Sequence, residues 1–317
     1  MNTKKILALA IAIVIIAAGV SYIYFHDQKH GTGKITVKAY NGKFSFNHTV
    51  TRIVSLDPAA TSTLYALGAY NYIVGGNVYD CYPPHENITV AGNLESANIE
   101  EIVNLSAQVV IGTDLIPEST VNKLDSIGIT FLEYNPSNIS SIECMTSSLG
   151  VLTGKTGNAT LINQWLNESI NDINKVMKNY NYLSVFYYLY PGYWTAGNNT
   201  FINDAFNMVH LKNIATENGY YTISREIIES SNPQVIILND YIPYSTVNET
   251  PFVQTSAVKN HMVFTLTQNI SNFFNEPDFR FVYAVYWLMI TIHPSVIGKL
   301  SLPAFPIKLK YNPGYGL

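Results

Sequence analysis

The apolar residues Leu161, Ile162, Trp165, Leu166, Ile170, Ile173, Val176 and Met177 recur at the i, i+3, i+4 spacing of an amphipathic helix with one buried stripe. That spacing predicts a helix from about Asn158 to Met177, with Asn158 as N-cap after the breaker Gly157 and Asn179-Tyr-Asn ending the run. At 1.5 Å per residue such a helix spans about 30 Å, roughly the diameter of a small domain. Residues 52–154 before it and 183–294 after it read as two α/β units of similar size. A stiff rod between two units implies a ligand held between them. A long core helix within one domain is the alternative reading.

Local signals fill in both units. Residues 35–40 and 43–46 alternate around Asn41-Gly42, a two-residue hairpin signal. Buried strands are expected at 53–56, 72–75, 108–111 and 130–132, alternating with helices at 59–67, 99–105, 118–126 and 139–152. The second unit repeats this grammar, with strands at 183–189, 234–238 and 263–266 and helices at 200–209, 224–229 and 278–292. Strand–helix alternation argues for an α/β fold with mainly parallel sheets covered by helices. The stretch Asn98-Ile-Glu-Glu-Ile-Val-Asn-Leu-Ser-Ala-Gln-Val-Val-Ile also matches Ser224-Arg-Glu-Ile-Ile-Glu-Ser-Ser-Asn-Pro-Gln-Val-Ile-Ile. In each, a short helix with an acid in its first turn feeds a Gln-Val-aliphatic strand. The expected organisation is an anchor or signal with tether at 1–33, a first lobe at 34–157, a connecting helix at 158–179 and a second lobe at 180–317.

The beginning of the chain bears on its compartment. Lys4 and Lys5 precede an unbroken apolar run from Ile6 to Val20, extended to Phe25, which is long enough to cross a bilayer as a helix. The lysines favour the cytoplasmic side and place the rest of the chain outside. A cleaved signal peptide is the alternative, against which stand the length of the run and the lack of a small-x-small cleavage site. Nine Asn-x-Ser/Thr sequons, at Asn47, Asn87, Asn104, Asn138, Asn158, Asn167, Asn198, Asn248 and Asn269, fit a glycosylated surface protein. Cys81 and Cys144 could pair outside the cell, although spacing cannot say whether they meet.

Several chemistries are missing. A net charge of −4 with 13% charged residues offers no basic surface for nucleic acid. There is no Gly-x-Ser-x-Gly elbow and no His-Glu-x-x-His pair. Gly150-Val-Leu-Thr-Gly-Lys-Thr156 has three residues between its glycines where a phosphate loop needs four, and it joins two helices. The seven histidines are scattered, so no metal site or cofactor is expected. Aromatics, in contrast, crowd the ends of the expected strands: Tyr79 and Tyr82, then Tyr190, Tyr193 and Trp194 around Pro191-Gly192, then Tyr220, Tyr241 and Tyr244. Ligands of open α/β sheets bind beyond the carboxyl ends of strands, where aromatics offer rigid contact surface. Tyr187 and Tyr188, inside a strand, are expected to be ordinary packing.

Thr51-Arg-Ile-Val-Ser-Leu-Asp-Pro-Ala-Ala-Thr-Ser-Thr-Leu-Tyr-Ala-Leu-Gly68 resembles the opening strand and helix of substrate-binding proteins of ABC importers for iron–siderophore complexes and cobalamin. Further segments agree in order, including Tyr79-Asp-Cys-Tyr-Pro-Pro84, Leu149-Gly-Val-Leu-Thr-Gly154, Asn232-Pro-Gln-Val-Ile-Ile-Leu238 and Ala257-Val-Lys-Asn-His-Met-Val-Phe264. The resemblance runs from about Ile35 to Pro294. It implies two lobes bridged by one long helix, with the ligand clasped between them.

It also implies site residues. An acid of each lobe that docks onto arginines of the permease falls on Glu100 and Glu226, for which helix-dipole compensation is the plainer reading. In the cobalamin-binding branch a ligand-contacting tyrosine falls on Tyr79, and an aromatic-rich loop before the closing helix falls on Asn272, Phe273, Phe274, Asn275 and Glu276. There an arginine of that branch is replaced by Glu276 and an acid by Asn275, while the acid often found in the opening helix is Ser62. Trp194 and Tyr241 join the candidate contacts from their loop positions alone. The expected function is extracytoplasmic capture of a metal chelate, a cobalamin-like corrinoid or ferric siderophore, and its delivery to an ABC permease with separate ATPase subunits. An extracellular enzyme, or a sensory or surface module on the same two-lobed fold, is the alternative.

Overall fold

The computed structural model describes residues 33–80, 82–84 and 88–314. The expected membrane segment at 6–25, Cys81 and the sequon at Asn87 lie outside the described residues. No described helix is long and apolar enough to cross a membrane.

Two parallel sheets form the body. The first has five strands in the order β5-β4-β3-β6-β7, with β3 at Ile53–Ser55, β4 at Ile73–Asn77, β5 at Val90–Gly92, β6 at Val109–Gly112 and β7 at Thr130–Glu133. The second has four strands in the order β10-β8-β12-β13, with β8 at Leu183–Tyr188, β10 at Leu211–Asn213, β12 at Val235–Leu238 and β13 at Val263–Thr265. All pairings within these sheets are parallel. The expected hairpin is present as β1 (Ile35–Ala39) and β2 (Gly42–Phe46) around Asn41-Gly42. It is fastened to the edge of β7 by Tyr40 N–H on Glu133 O at 2.7 Å and by the Asn41 amide, which donates to Phe131 O. A small antiparallel pair, β9 (Trp194–Ala196) with β11 (Tyr220–Thr222), extends the second unit.

The unbroken apolar strands follow from burial on both faces. Ile53, Val109 and Ile111 point into a large core, and Val54 and Val110 point into a smaller one on the opposite face. In the second sheet Val185, Tyr187, Val235 and Ile237 join the same large core, while Phe186, Tyr188, Ile236 and Leu238 enter a third. The inner faces of both sheets therefore share one continuous core with the long helix. Tyr187 and Tyr188 are packing residues, as expected.

Helix α1 (Pro58–Ala66) is buried at every position, capped by the Asp57 side chain on Ala59 N–H with Pro at the first turn. Helices α2 (Ile99–Asn104), α3 (Glu118–Ser126) and α4 (Ile139–Thr153) complete the first unit. A capping box of Asn138 and Ser141 opens α4, and Gly154 at φ 72° closes it in the left-handed region. The long helix α5 covers Thr156–Met177 and buries Ala159, Ile162, Trp165, Leu166, Ser169, Ile170, Ile173 and Met177. It begins two residues before Asn158, so that residue is not its cap. The Asn158 side chain instead donates to Leu67 O at 2.9 Å, tying the rod to the end of α1. The second unit carries α6 (Phe201–Met208), α7 (Arg225–Ser231), α8 (Ser256–Lys259), α9 (Gln268–Asn275) and α10 (Phe281–Ile292).

The internal repeat is structural as well as sequential. In each unit an Asx or Ser cap, Asn98 or Ser224, accepts the N–H three residues on. The following glutamine carboxamide then clamps the adjoining strand. Gln108 accepts from the N–H groups of Thr51 and Arg52, and Gln234 accepts from that of Ser184.

Candidate functional site

The carboxyl ends of both parallel sheets lead to one cleft, and two clusters join the units across it. The first is charged. After β13 the chain forms α9 and then Glu276, Asp278 and Arg280, all buried. The Arg280 guanidinium donates to Asp278 Oδ2 through Nε at 2.9 Å and Nη2 at 2.7 Å, and also to Glu276 Oε2. Its Nη2 reaches Ser62 Oγ in α1 at 2.9 Å, and its carbon lies 4.6 Å from the centre of the Tyr82 ring. A buried guanidinium needs this many acceptors, because an unpaired charge in a low-dielectric interior is strongly unfavourable.

Beside it lie two acids of the first unit. Asp57 ends the loop after β3, and Asp80 follows β4 and accepts Asn77 N–H at 2.8 Å. Asp57 Oδ2 and Asp80 Oδ1 have no hydrogen-bond partner among the described residues. Burial pushes both carboxyls up to about 7, assisted by the nearby Glu276 and only partly offset by backbone N–H donors. Asp278 is raised to about 6 by burial, held down from a larger rise by Arg280. Thr61, Asn77, Val78, Asp80 and Tyr82 line a cavity of about 150 Å³ here.

The second cluster is polar, with Asp204 its one acid. Ser137 and Asn138, beyond β7, face Asn198, Asn199, Asn203, Asp204 and Asn218 of the second unit around a cavity of about 460 Å³. Burial raises the Asp204 carboxyl, offset in part by the Ile139 backbone N–H at the start of α4.

Between these clusters, aromatics stand at the strand ends. Tyr79, two residues beyond β4, is 64% exposed; Trp194 and Tyr241 in the second unit are 39% and 60% exposed. Tyr190 and Tyr241 meet edge to face at 6.0 Å. A large side chain left this open beyond a strand end has contact surface to offer a ligand.

The expected loop before the closing helix is different. Residues 268–275 form α9, whose inward face carries Ile270, Phe273 and Phe274, so the two phenylalanines are only 2% and 1% exposed. Phe273 packs on Tyr283 and Phe274 on Tyr187 and Trp287. They belong to the core and have no free face for a ligand. Asn272 is half-buried, Asn275 is exposed, and Glu276 is taken up by Arg280. The sequence did not single out Asp57, Asp80, Asp278 or the ring of asparagines. The spacing Glu276-x-Asp-x-Arg280 was the signal available, since two acids and a cation ahead of a wholly apolar helix must be paired.

Glu100 and Glu226 both sit exposed in the first turns of their short helices. The Glu226 carboxyl is held below the usual range by hydrogen bonds from its own backbone N–H and the Ser224 hydroxyl. Cys144 is exposed with a free thiol. Among the described residues no group of three or more His, Cys, Asp or Glu is arranged to hold a metal ion.

Residues 53–270 match the sequence profile of a family described as periplasmic binding protein. A cobalamin-binding protein of Halobacterium salinarum is 26% identical over 273 residues, covering 82% of this chain and 74% of the relative. An ABC transporter substrate-binding lipoprotein of Bacillus subtilis, itself uncharacterized, is 26% identical over 231 residues, 69% of this chain and 73% of the relative. Among solved structures, the periplasmic vitamin B12 binding protein of Vibrio cholerae superposes with a TM-score of 0.67 at 22% identity, covering 77% of this chain and 97% of that one. The molybdate-binding protein MolA of Haemophilus influenzae gives 0.73 at 16% identity, covering 84% and 94%.

Proposed function

The chain belongs to the periplasmic binding protein family, and from that membership we propose that it is the extracytoplasmic solute receptor of an ABC importer for a metal chelate. Its task is capture, not catalysis. The observation that supports the reading is a body of two parallel sheets with the exposed rings of Tyr79, Tyr190 and Tyr241 just beyond the carboxyl ends of strands. Flat or bulky cargo gains most from such rigid surfaces.

Structures similar at this level carry vitamin B12, haem and molybdate, so the fold alone does not choose the cargo. The sequence relatives named for a ligand are cobalamin-binding, which favours a corrinoid. Tyr79, Trp194 and Tyr241 are the contacts we assign, with Asn272, Asn275 and Glu276 at the margin of the cleft. Phe273 and Phe274 support it from the core. Glu100 and Glu226, one on each unit, are assigned to docking on permease arginines, where two separated carboxylates report whether both units are correctly placed. Residues 6–25 are assigned as the membrane anchor.

The direct test is ligand-dependent thermal stabilisation of the purified chain against cobalamins, haem and ferric siderophores. A ligand bound only by the native state adds RT ln(1 + [L]/Kd), about 2.7 kcal/mol at a hundredfold excess over Kd. A concentration-dependent rise with one chelate class is expected. No rise with any of the three would reject the reading.

A further inference from the structure

Past the closing helix and a 3₁₀ turn at Pro294–Val296, the chain returns across the molecule. Residues 300–314 form no strand, and their described backbone groups make no ladder with either sheet. Yet the segment alternates strictly: Phe305, Ile307, Leu309 and Tyr311 are half-buried, and Pro306, Lys308, Lys310 and Asn312 are exposed. Period-two alternation is what an extended chain shows when it lies along an apolar surface. That surface is the seam between the units.

The contacts run from one side of the seam to the other. Phe305 packs edge-on against Trp165 of the long helix at 5.0 Å and against Phe279 of the second unit at 5.1 Å. The Trp165 indole N–H donates to Pro303 O at 2.8 Å. Tyr311 then reaches the first unit: its N–H donates to Tyr65 Oη at 3.0 Å, and its carbonyl accepts from Tyr82 Oη at 2.9 Å. Gly314 lies so close to Tyr283 of the second unit that an added Cβ would sit 2.7 Å from the ring. Tyr82 is the residue whose ring covers the Arg280 guanidinium and lines the cavity beside Asp80.

We infer that residues 300–314 are a strap that holds the two units at one relative setting and, through Tyr311, positions Tyr82 at the edge of the cleft. Its hydrogen bonds to Trp165, Tyr286, Tyr65 and Tyr82 each involve a side chain of a helix or loop of the two-unit body. Removing it releases the seam and leaves the sheets intact.

Hydrogen exchange of the ligand-free chain, read by mass spectrometry, tests it independently of binding. Two variants are compared with the wild type: a chain stopped after Lys299, and the full-length double substitution Phe305→Ala, Tyr311→Ala. The strap predicts exchange faster by roughly tenfold or more in peptides covering 58–66 and 276–284, with β6 and β12 unchanged. Tyr82→Phe, which removes only the hydroxyl held by Tyr311, should accelerate exchange in 307–312 alone. Seam exchange unchanged in both main variants would overturn the inference. So would loss of protection throughout both sheets in both variants, because the segment would then be core.

Discussion

Arg280 and Ser62, 218 residues apart, meet at 2.9 Å across the boundary between the two units. The serine carries no charge, and the countercharge comes from Asp278 and Glu276 on the arginine's own side. The contact across the boundary is thereby carried by a hydroxyl, which accepts from Arg280 and donates to Glu276. Such a contact orients the units at small cost in desolvation and lets them part without stranding a charge, since Arg280 keeps its carboxylates.

The acids around this contact make stability depend on pH. Asp57 and Asp80 titrate near 7 in the folded chain, well above the unfolded carboxylate range near 4. Between those values the folded state binds more protons than the unfolded state, so stability falls as pH rises from about 4 to 7 and levels off above. Urea midpoints should be higher at pH 5 than at pH 8. Asp57→Asn, which keeps a capping oxygen for Ala59 N–H, should raise the midpoint at pH 8 and flatten the profile. An unchanged pH slope in this variant would show that Asp57 does not contribute.

Arg280→Met tests the buried charge cluster. It leaves Asp278 and Glu276 in the interior without their cation, a loss of roughly 3–5 kcal/mol by comparison with other buried pairs. The deficit should shrink below pH 5, where the stranded carboxyls are protonated. Equilibrium urea unfolding at pH 5 and pH 8 measures both values. A loss below about 1 kcal/mol at pH 8 would mean that the carboxylates are solvated.

Gly197 follows β9 where the chain passes close to the loop before β11. An added Cβ would lie 2.0 Å from Glu217 O, a backbone atom that cannot swing aside. Gly197→Ala should therefore destabilise by about 1–3 kcal/mol as an overpacked site. It should also weaken ligand binding, because the displaced strand pair carries Trp194 and Tyr220. Thermal unfolding and titration calorimetry on the same preparation read the two effects.

Much of this architecture is legible in the sequence. The stripe from Leu161 to Met177, the Asn41-Gly42 turn and the runs Val109-Val-Ile111 and Val235-Ile-Ile-Leu238 each record a local requirement that the fold satisfies directly. Phe273 and Phe274 misled because an aromatic pair near a strand end fits either a ligand or a core. Only the eight-residue helix that carries them, with Ile270 on the same face, turns them inward. Asp57, Asp80 and the asparagines around the larger cavity were not legible because their meaning lies in partners far along the chain, or in a missing partner. The alternation from Phe305 to Tyr311 was visible as a pattern, but a strand without a ladder partner gives no hint of the surface it covers.

The exposed aromatics separate binding from folding. Tyr79→Ala, Trp194→Ala and Tyr241→Ala remove exposed rings, so each should cost less stability than a core truncation, about 1 kcal/mol or below. Each should weaken chelate binding by about tenfold, and Phe274→Ala should instead cost roughly 3–5 kcal/mol of stability as a core truncation. Calorimetric titration beside urea unfolding distinguishes them. Wild-type affinity in all three surface variants would place the ligand elsewhere.

Glu100 and Glu226 offer a test of delivery apart from capture. Each is exposed at the start of a capped helix on a different unit, at equivalent points of the internal repeat, and neither touches the cleft clusters. Replacing either by arginine sets like charges against a basic partner surface, and a buried charge pair broken in this way typically loses 2–5 kcal/mol. Uptake in cells should then fall by at least about tenfold for either single variant, while chelate affinity and melting temperature of the isolated chain stay at wild-type values. Salt should modulate the defect, because the interaction is electrostatic. Uptake at the wild-type rate in the double variant would return both residues to helix-dipole compensation, and the permease would have to read some other feature of the two units.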